Sequence, residues 1–143
     1  MQVKLVAKSR KWWSPVERWI IKDAAAFAIE RLNLSASPVP VRIILKAGLS
    51  CGSYGDSIDL DHEFVIRITK QADWLSTLFH EFEHIRQFLD DELELEHSHA
   101  IWKGKLIDRS KMDYWNSPWE KKARKVEKKL LRKYLKKSLT LDA

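Results

Sequence analysis

Residues 74–89, Trp-Leu-Ser-Thr-Leu-Phe-His-Glu-Phe-Glu-His-Ile-Arg-Gln-Phe-Leu, restrict the fold of this chain more than any other stretch. Leu75, Leu78, Phe82, Ile85 and Leu89 recur at helical spacing and make one apolar stripe. His80 and His84 fall on roughly the opposite side, and Phe88 lies nearer to them than to the stripe. A helix with apolar residues on two sides needs cover on both. The chain must therefore supply a layer on each side of it, and the histidines face a cleft.

The flanking segments can supply those layers. Val3 and Leu5 alternate with polar residues, as in a short strand. Ser14-Pro15-Val16-Glu17 is a helix start: Ser14 caps, Pro15 takes the first helical position and Glu17 closes a capping box. That helix runs to about Leu32 and includes Trp19, Ala26 and Ile29 among its apolar positions. Val41 to Leu45 is β-rich, and residues 48–55 form a loop carrying Cys51. Ile58 and Leu60, then Phe64, Ile66 and Ile68, predict two strands around a turn at Asp61-His62. Asp73 is placed to cap the central helix.

Leu93, Leu95 and Ile101 predict extended chain, with Lys103-Gly104 as a hairpin turn. Ser117-Pro118-Trp119-Glu120 repeats the helix-start pattern of Ser14. Trp119, Ala123, Val126, Leu130 and Tyr134 form the stripe of the helix that follows. The expected class is α+β: one domain over residues 1–143, with a small mixed or antiparallel sheet and three helices. At 143 residues about two thirds of the unfolded surface can be buried, so a core needs no staples.

One cysteine excludes an intramolecular disulfide and a Cys-based zinc cluster, and fits a reducing compartment. Cys51 has no evident base partner, which argues against a nucleophilic role. Residues 1–10 hold no apolar run of signal-peptide length, and no stretch approaches the ~20 residues of a membrane span. A cytoplasmic protein is expected, in the host cytoplasm if the gene is a phage gene.

The net charge of +6 is uneven. Residues 80–119 hold five Lys/Arg against nine Asp/Glu, whereas residues 120–143 hold ten against three. From Lys121 to Lys137 the only acidic residue is Glu127. This basic helical tail, about 121–143, is either a solvated face or a weak contact for a polyanion such as nucleic acid, made through phosphates and sensitive to salt.

His80-Glu81-Phe82-Glu83-His84 matches H-E-x-x-H. Positions i and i+4 share a helix face, so two imidazoles can meet one tetrahedral zinc ion at ~2.0–2.1 Å. Glu81 is rotated off the ligand axis, where it can take a proton from a water that the metal has acidified. A third protein ligand is needed, and His97, His99 and Glu120 are the downstream candidates. Glu120 has a competing role in Ser117-x-x-Glu120, where it would close a capping box as Glu17 does. Tyr114 is either a core or groove residue or an oxyanion donor.

Three further pieces carry a resemblance: Trp102-Lys103-Gly104-Lys105, Tyr114-Trp115 and Pro118-Trp119-Glu120-Lys121-Lys122-Ala123. With the histidine motif they resemble small phage and bacterial zinc metallopeptidase-like proteins of the zincin-like, gluzincin type, over about residues 74–127. The basic tail after Ala123 is not part of that pattern. The resemblance implies a zincin-like fold with an active-site helix, and Glu120 as third zinc ligand beside His80 and His84. It implies Glu81 as general base, a protein or peptide substrate, and a sheet edge that aligns the substrate by main-chain pairing. The alternative is a zinc-binding regulatory or nucleic-acid-associated protein that does not cleave peptides.

Overall fold

The computed structural model describes residues 1–7, 12–49 and 52–141; Cys51 lies outside the described residues. The elements in chain order begin with β1 (Val3–Ala7), α1 (Pro15–Arg31), β2 (Val41–Lys46), β3 (Gly55–Asp59), β4 (Phe64–Thr69) and α2 (Trp74–Leu89). They continue with β5 (Leu93–Leu95), β6 (His99–Trp102), β7 (Lys105–Asp108), two short 3₁₀ turns at Arg109–Lys111 and Tyr114–Asn116, and α3 (Pro118–Leu141). The class is α+β, with three helices and two sheets.

The larger sheet has the order β1-β2-β4-β3. β1, β2 and β4 run parallel, and β3 returns antiparallel along β4 as the outer edge. β4 is buried at five of its six residues, as a central strand covered on both faces should be. β3 is amphipathic at best: Ile58 is exposed, as is the neighbouring Leu60. An edge strand facing solvent does not need the apolar alternation expected of those two residues. The turn between β3 and β4 falls at Asp61-His62, with Asp61 in the left-handed region at φ 67°.

Helices α1 and α2 pack on the sheet through a core that includes Ile21, Phe27, Ile43, Ile66, Phe79, Phe82 and Ile85. Each large apolar side chain fully buried there contributes about 1.5–3 kcal/mol. Tyr134 meets Phe27 and Phe79 edge to face, and those two rings pack tilted against each other, which joins all three helices. The α2 stripe holds as expected, with Leu78, Phe82 and Ile85 inaccessible and Leu75 and Leu89 packed at its margins. α1 begins with the full capping box of Ser14 and Glu17. Asp73 occupies the N-cap position of α2 but makes no side-chain cap; its own N–H donates to Gln71 Oε1 instead. Trp19 is exposed rather than part of the core.

The extended chain after α2 forms a separate three-stranded antiparallel sheet, β5-β6-β7, and not a continuation of the first. Lys103 and Gly104, both at positive φ, make its tight turn as the sequence predicts. This sheet has its own small core of Leu93, Ala100 and Trp119, and Trp102 packs against Trp119 at 6.3 Å between centroids. It is bolted through Trp119 to the first turn of α3. α3 covers the second side of α2, and Leu130 and Tyr134 reach the main core. No helix among the described residues is long and apolar enough to cross a membrane.

Candidate metal centre

The second side of α2 is polar and nonetheless buried. Glu81, Glu83, His84 and Gln87 are all buried, and His80 is half-buried. Three elements enclose them: β3 on one flank, α3 on the other, and the 3₁₀ turn at Tyr114–Asn116 across one end.

The two glutamates of the motif separate by role. Glu83 is fully buried and ion-paired with Arg86, whose guanidinium also reaches Asp90 and Glu92. That network holds α2 and does not face the cleft, although Glu83 also accepts a hydrogen bond from Gln87 Nε2 at 3.4 Å. Glu81 turns towards β3, where the Ser57 side chain hydrogen-bonds it. Burial raises its pKa above the usual carboxylate value, against the lowering pull of His84 and His80. β3 can lie this close because residue 55 is glycine. A Cβ there would meet the Thr77 methyl at 2.7 Å and the Arg67 carbonyl oxygen at 2.8 Å.

Glu120 is delivered by the anchor beside it. Trp119 is locked between the small sheet and α2, so the next side chain points at the histidines. One Glu120 oxygen lies 2.8 Å from His80 Nε2 and the other 2.8 Å from His84 Nε2. The capping-box reading of Glu120 therefore fails, and the Ser117 backbone N–H instead donates to the Tyr114 carbonyl. Among the described residues, His80, His84 and Glu120 are the one group of three such side chains whose ligand atoms converge, all within 4.8 Å of one another. His97 and His99 do not join them. Both are exposed at the small sheet, and His99 pairs with Ser98.

The far nitrogens of both rings are also held. His84 Nδ1 lies 2.9 Å from Gln87 Oε1, and Gln87 Nε2 donates to the Trp119 carbonyl. His80 Nδ1 lies 2.8 Å from a Glu127 oxygen, and Ser76 donates to the other oxygen of the same carboxylate. A carboxamide or carboxylate oxygen on Nδ1 requires Nδ1–H, so each ring presents Nε2 to Glu120. Outer partners that set the tautomer in this way are a regular companion of histidine–metal ligation. Gln87 and Glu127 were not singled out by sequence. The signal for Glu127 was available: it is the lone acid in the basic run, two helical turns past Glu120.

The electrostatics favour a cation at the point of convergence. Burial opposes charging His80, yet hydrogen bonds to Glu120 and Glu127 and the nearby Glu81 charge raise its pKa to about 10. His84 is raised in the same sense, with burial outweighed by Glu120 and Glu81. Burial would raise Glu120, but its hydrogen bonds to both histidines hold it well below the usual carboxylate range. Each Nε2 faces a carboxylate oxygen of Glu120 at 2.8 Å, an arrangement that places a proton on it. Exchanging those two protons for one divalent ion leaves the net charge of the cluster unchanged. Two imidazole nitrogens and a carboxylate suit such an ion, and the group can hold a metal.

A cleft of about 510 Å³ opens over these residues, lined by residues 52–54 and the first residue of β3, Gly55, by α2, and by Tyr114, Trp115 and Arg124. The ring of Tyr114 is largely exposed, while its hydroxyl reaches Glu120. Loss of water there and the Glu120 charge raise its pKa, so the phenol keeps its proton and can donate.

Glu127→Gln is expected to lower metal affinity about 10–100-fold, the usual cost of losing an outer partner. Competitive titration against a chromophoric chelator measures it; an unchanged affinity removes Glu127 from the metal centre. No family model, no curated protein and no solved structure matches this chain, so its function is read from its own geometry.

Proposed function

We propose that the chain is a zinc metallopeptidase of the zincin-like, gluzincin type, with His80, His84 and Glu120 as metal ligands and Glu81 as general base. The observation that carries this reading is the convergence of the two Nε2 atoms and the Glu120 carboxylate within 4.8 Å, at the floor of an open cleft with Glu81 buried alongside. Zinc fits this nitrogen-and-oxygen set, and once bound it would supply Lewis acidity that acidifies a water and polarises a carbonyl.

The protein's own groups account for the proton movements. Glu81, with a pKa pushed upward by burial, takes a proton from the attacking water. As the water oxygen bonds to the carbonyl carbon and the C–N bond breaks, Glu81 returns that proton to the departing amine. Tyr114 keeps its hydroxyl proton and is a donor for the developing oxyanion. β3 is an edge strand whose first residue, Gly55, borders the cleft, so an extended peptide that leaves the cleft along it can pair with its free edge.

Protein incubated with zinc and dialysed should retain one zinc ion per chain by plasma emission spectrometry, and should cleave casein. Phenanthroline should stop the cleavage and added zinc restore it. Absence of bound zinc, or cleavage that phenanthroline leaves untouched, overturns the proposal.

A further inference from the structure

One side chain in the cleft is used neither by the metal centre nor by the proton transfers. Arg124 lies one helical turn past Glu120 on α3, ~6 Å along the axis, and lines the same cleft. Its guanidinium stacks on the Trp115 ring, 3.9 Å from the centroid. Nη1 is shut off from solvent with no hydrogen-bond partner. The acids that could neutralise it are engaged elsewhere: Glu120 holds both histidines, and Glu127 holds His80 and Ser76.

A buried Nη1 without a partner beside the cleft calls for an explanation, because native structures leave few buried donors unsatisfied. Stacking occupies the face of the group and fixes its plane, while the N–H edges remain directed in that plane. A fixed fork of this kind matches a carboxylate, which can accept two parallel hydrogen bonds. Phosphate is disfavoured here by the acidic neighbours Glu81, Glu120 and Glu127, which would repel a dianion more strongly than a monoanion.

We propose that Arg124, braced by Trp115, binds a carboxylate of the substrate close to the bond that is cleaved, and so selects acidic peptides. The inference rests on the peptidase reading. An extended peptide advances ~3.3–3.6 Å per residue, so ~6 Å places the recognised group within about two residues of that bond. It is either an aspartate or glutamate side chain or the free carboxyl terminus.

The test uses randomised hexapeptides that carry Glu or Gln at one fixed position, each made with a free or an amidated C-terminus. Cleavage is followed with the wild type, and binding by fluorescence anisotropy with the zinc-treated Glu81→Gln protein. At one position, or at the free terminus, the charged form should be preferred roughly ten- to hundredfold, the range for a charge-assisted hydrogen bond. Arg124→Gln should erase the preference and Arg124→Lys restore part of it, with both variants folded by circular dichroism. The position and the amidated set identify which source of carboxylate is used. Cleavage without any preference, or a preference that survives Arg124→Gln, overturns this inference and leaves the peptidase reading standing. Charge-selective binding that depends on Arg124, without cleavage by the wild type, supports the inference and overturns the peptidase reading. Absence of both overturns both.

Discussion

Glu81→Gln is expected to reduce peptide hydrolysis by about 10²–10⁴-fold, the contribution typical of a positioned general base, while zinc stays bound. The change suits its surroundings. Glutamine has nearly the same shape, so it still fills the space between α2 and β3 and can still bond the Ser57 side chain. What disappears is the capacity to accept a proton. His80 and His84 are not displaced, because Glu81 makes no hydrogen bond to either and acts on them only through its charge. Metal content, circular dichroism and casein cleavage should be measured on the same preparation. Full zinc with lost cleavage supports the assignment; full zinc with wild-type cleavage removes Glu81 from the chemistry.

Glu120→Gln is expected to have the opposite signature, with zinc lost and the fold retained. Among the described residues, its carboxylate is the group that meets both Nε2 atoms, one oxygen on each. A neutral carboxamide is a weak zinc ligand, so the loss in affinity should exceed the ~10–100-fold that outer partners cost. Glu120 closes no capping box, since both its oxygens are on the histidines and the Ser117 N–H goes to the Tyr114 carbonyl, so the change removes no cap. Glu17→Gln is the matched control, since Glu17 closes such a box at the start of α1. That variant should keep its zinc and lose no more than about 0.5–2 kcal/mol of stability. Plasma emission after dialysis reads both variants, and zinc retained by Glu120→Gln would mean that Glu120 is not a ligand.

Those two glutamates show what local sequence could and could not convey. Ser14-Pro15-Val16-Glu17 and Ser117-Pro118-Trp119-Glu120 are the same helix start with one residue changed. One glutamate bonds its own cap; the other turns to histidines 36 and 40 residues away in the chain. The difference lies in Trp119, which is pinned by a sheet that helix-cap patterns cannot foresee.

Periodicity sufficed for α2, because Leu78, Phe82 and Ile85 repeat along one stripe that is buried. Turn chemistry placed the hairpin at Lys103-Gly104, where both residues take positive φ, but periodicity had a limit. It could not order the strands. The parallel pairing of β1 with β2 and of β2 with β4 spans long connections and has no local signature. Nor did it find Gln87 or Glu127, whose roles exist only once α3 lies against α2.

The bonds that would hold a metal are also the bonds that fasten the end of the chain. Glu120 and Glu127 reach back to α2 across 40 and 47 residues, and Ser76 meets Glu127 across 51. These ties join the polar side of α2 to the first turns of α3 through polar and charged groups, while apolar contacts such as Phe79 with Tyr134 join the two helices further along. An ion at their meeting point would act as a crosslink, removing freedom from the open chain as a covalent staple does. The first turns of α3 would then be firm when loaded and looser when stripped, while Leu130 and Tyr134 keep the far end seated in either condition. Catalytic readiness and the order of the last helix would rise and fall together.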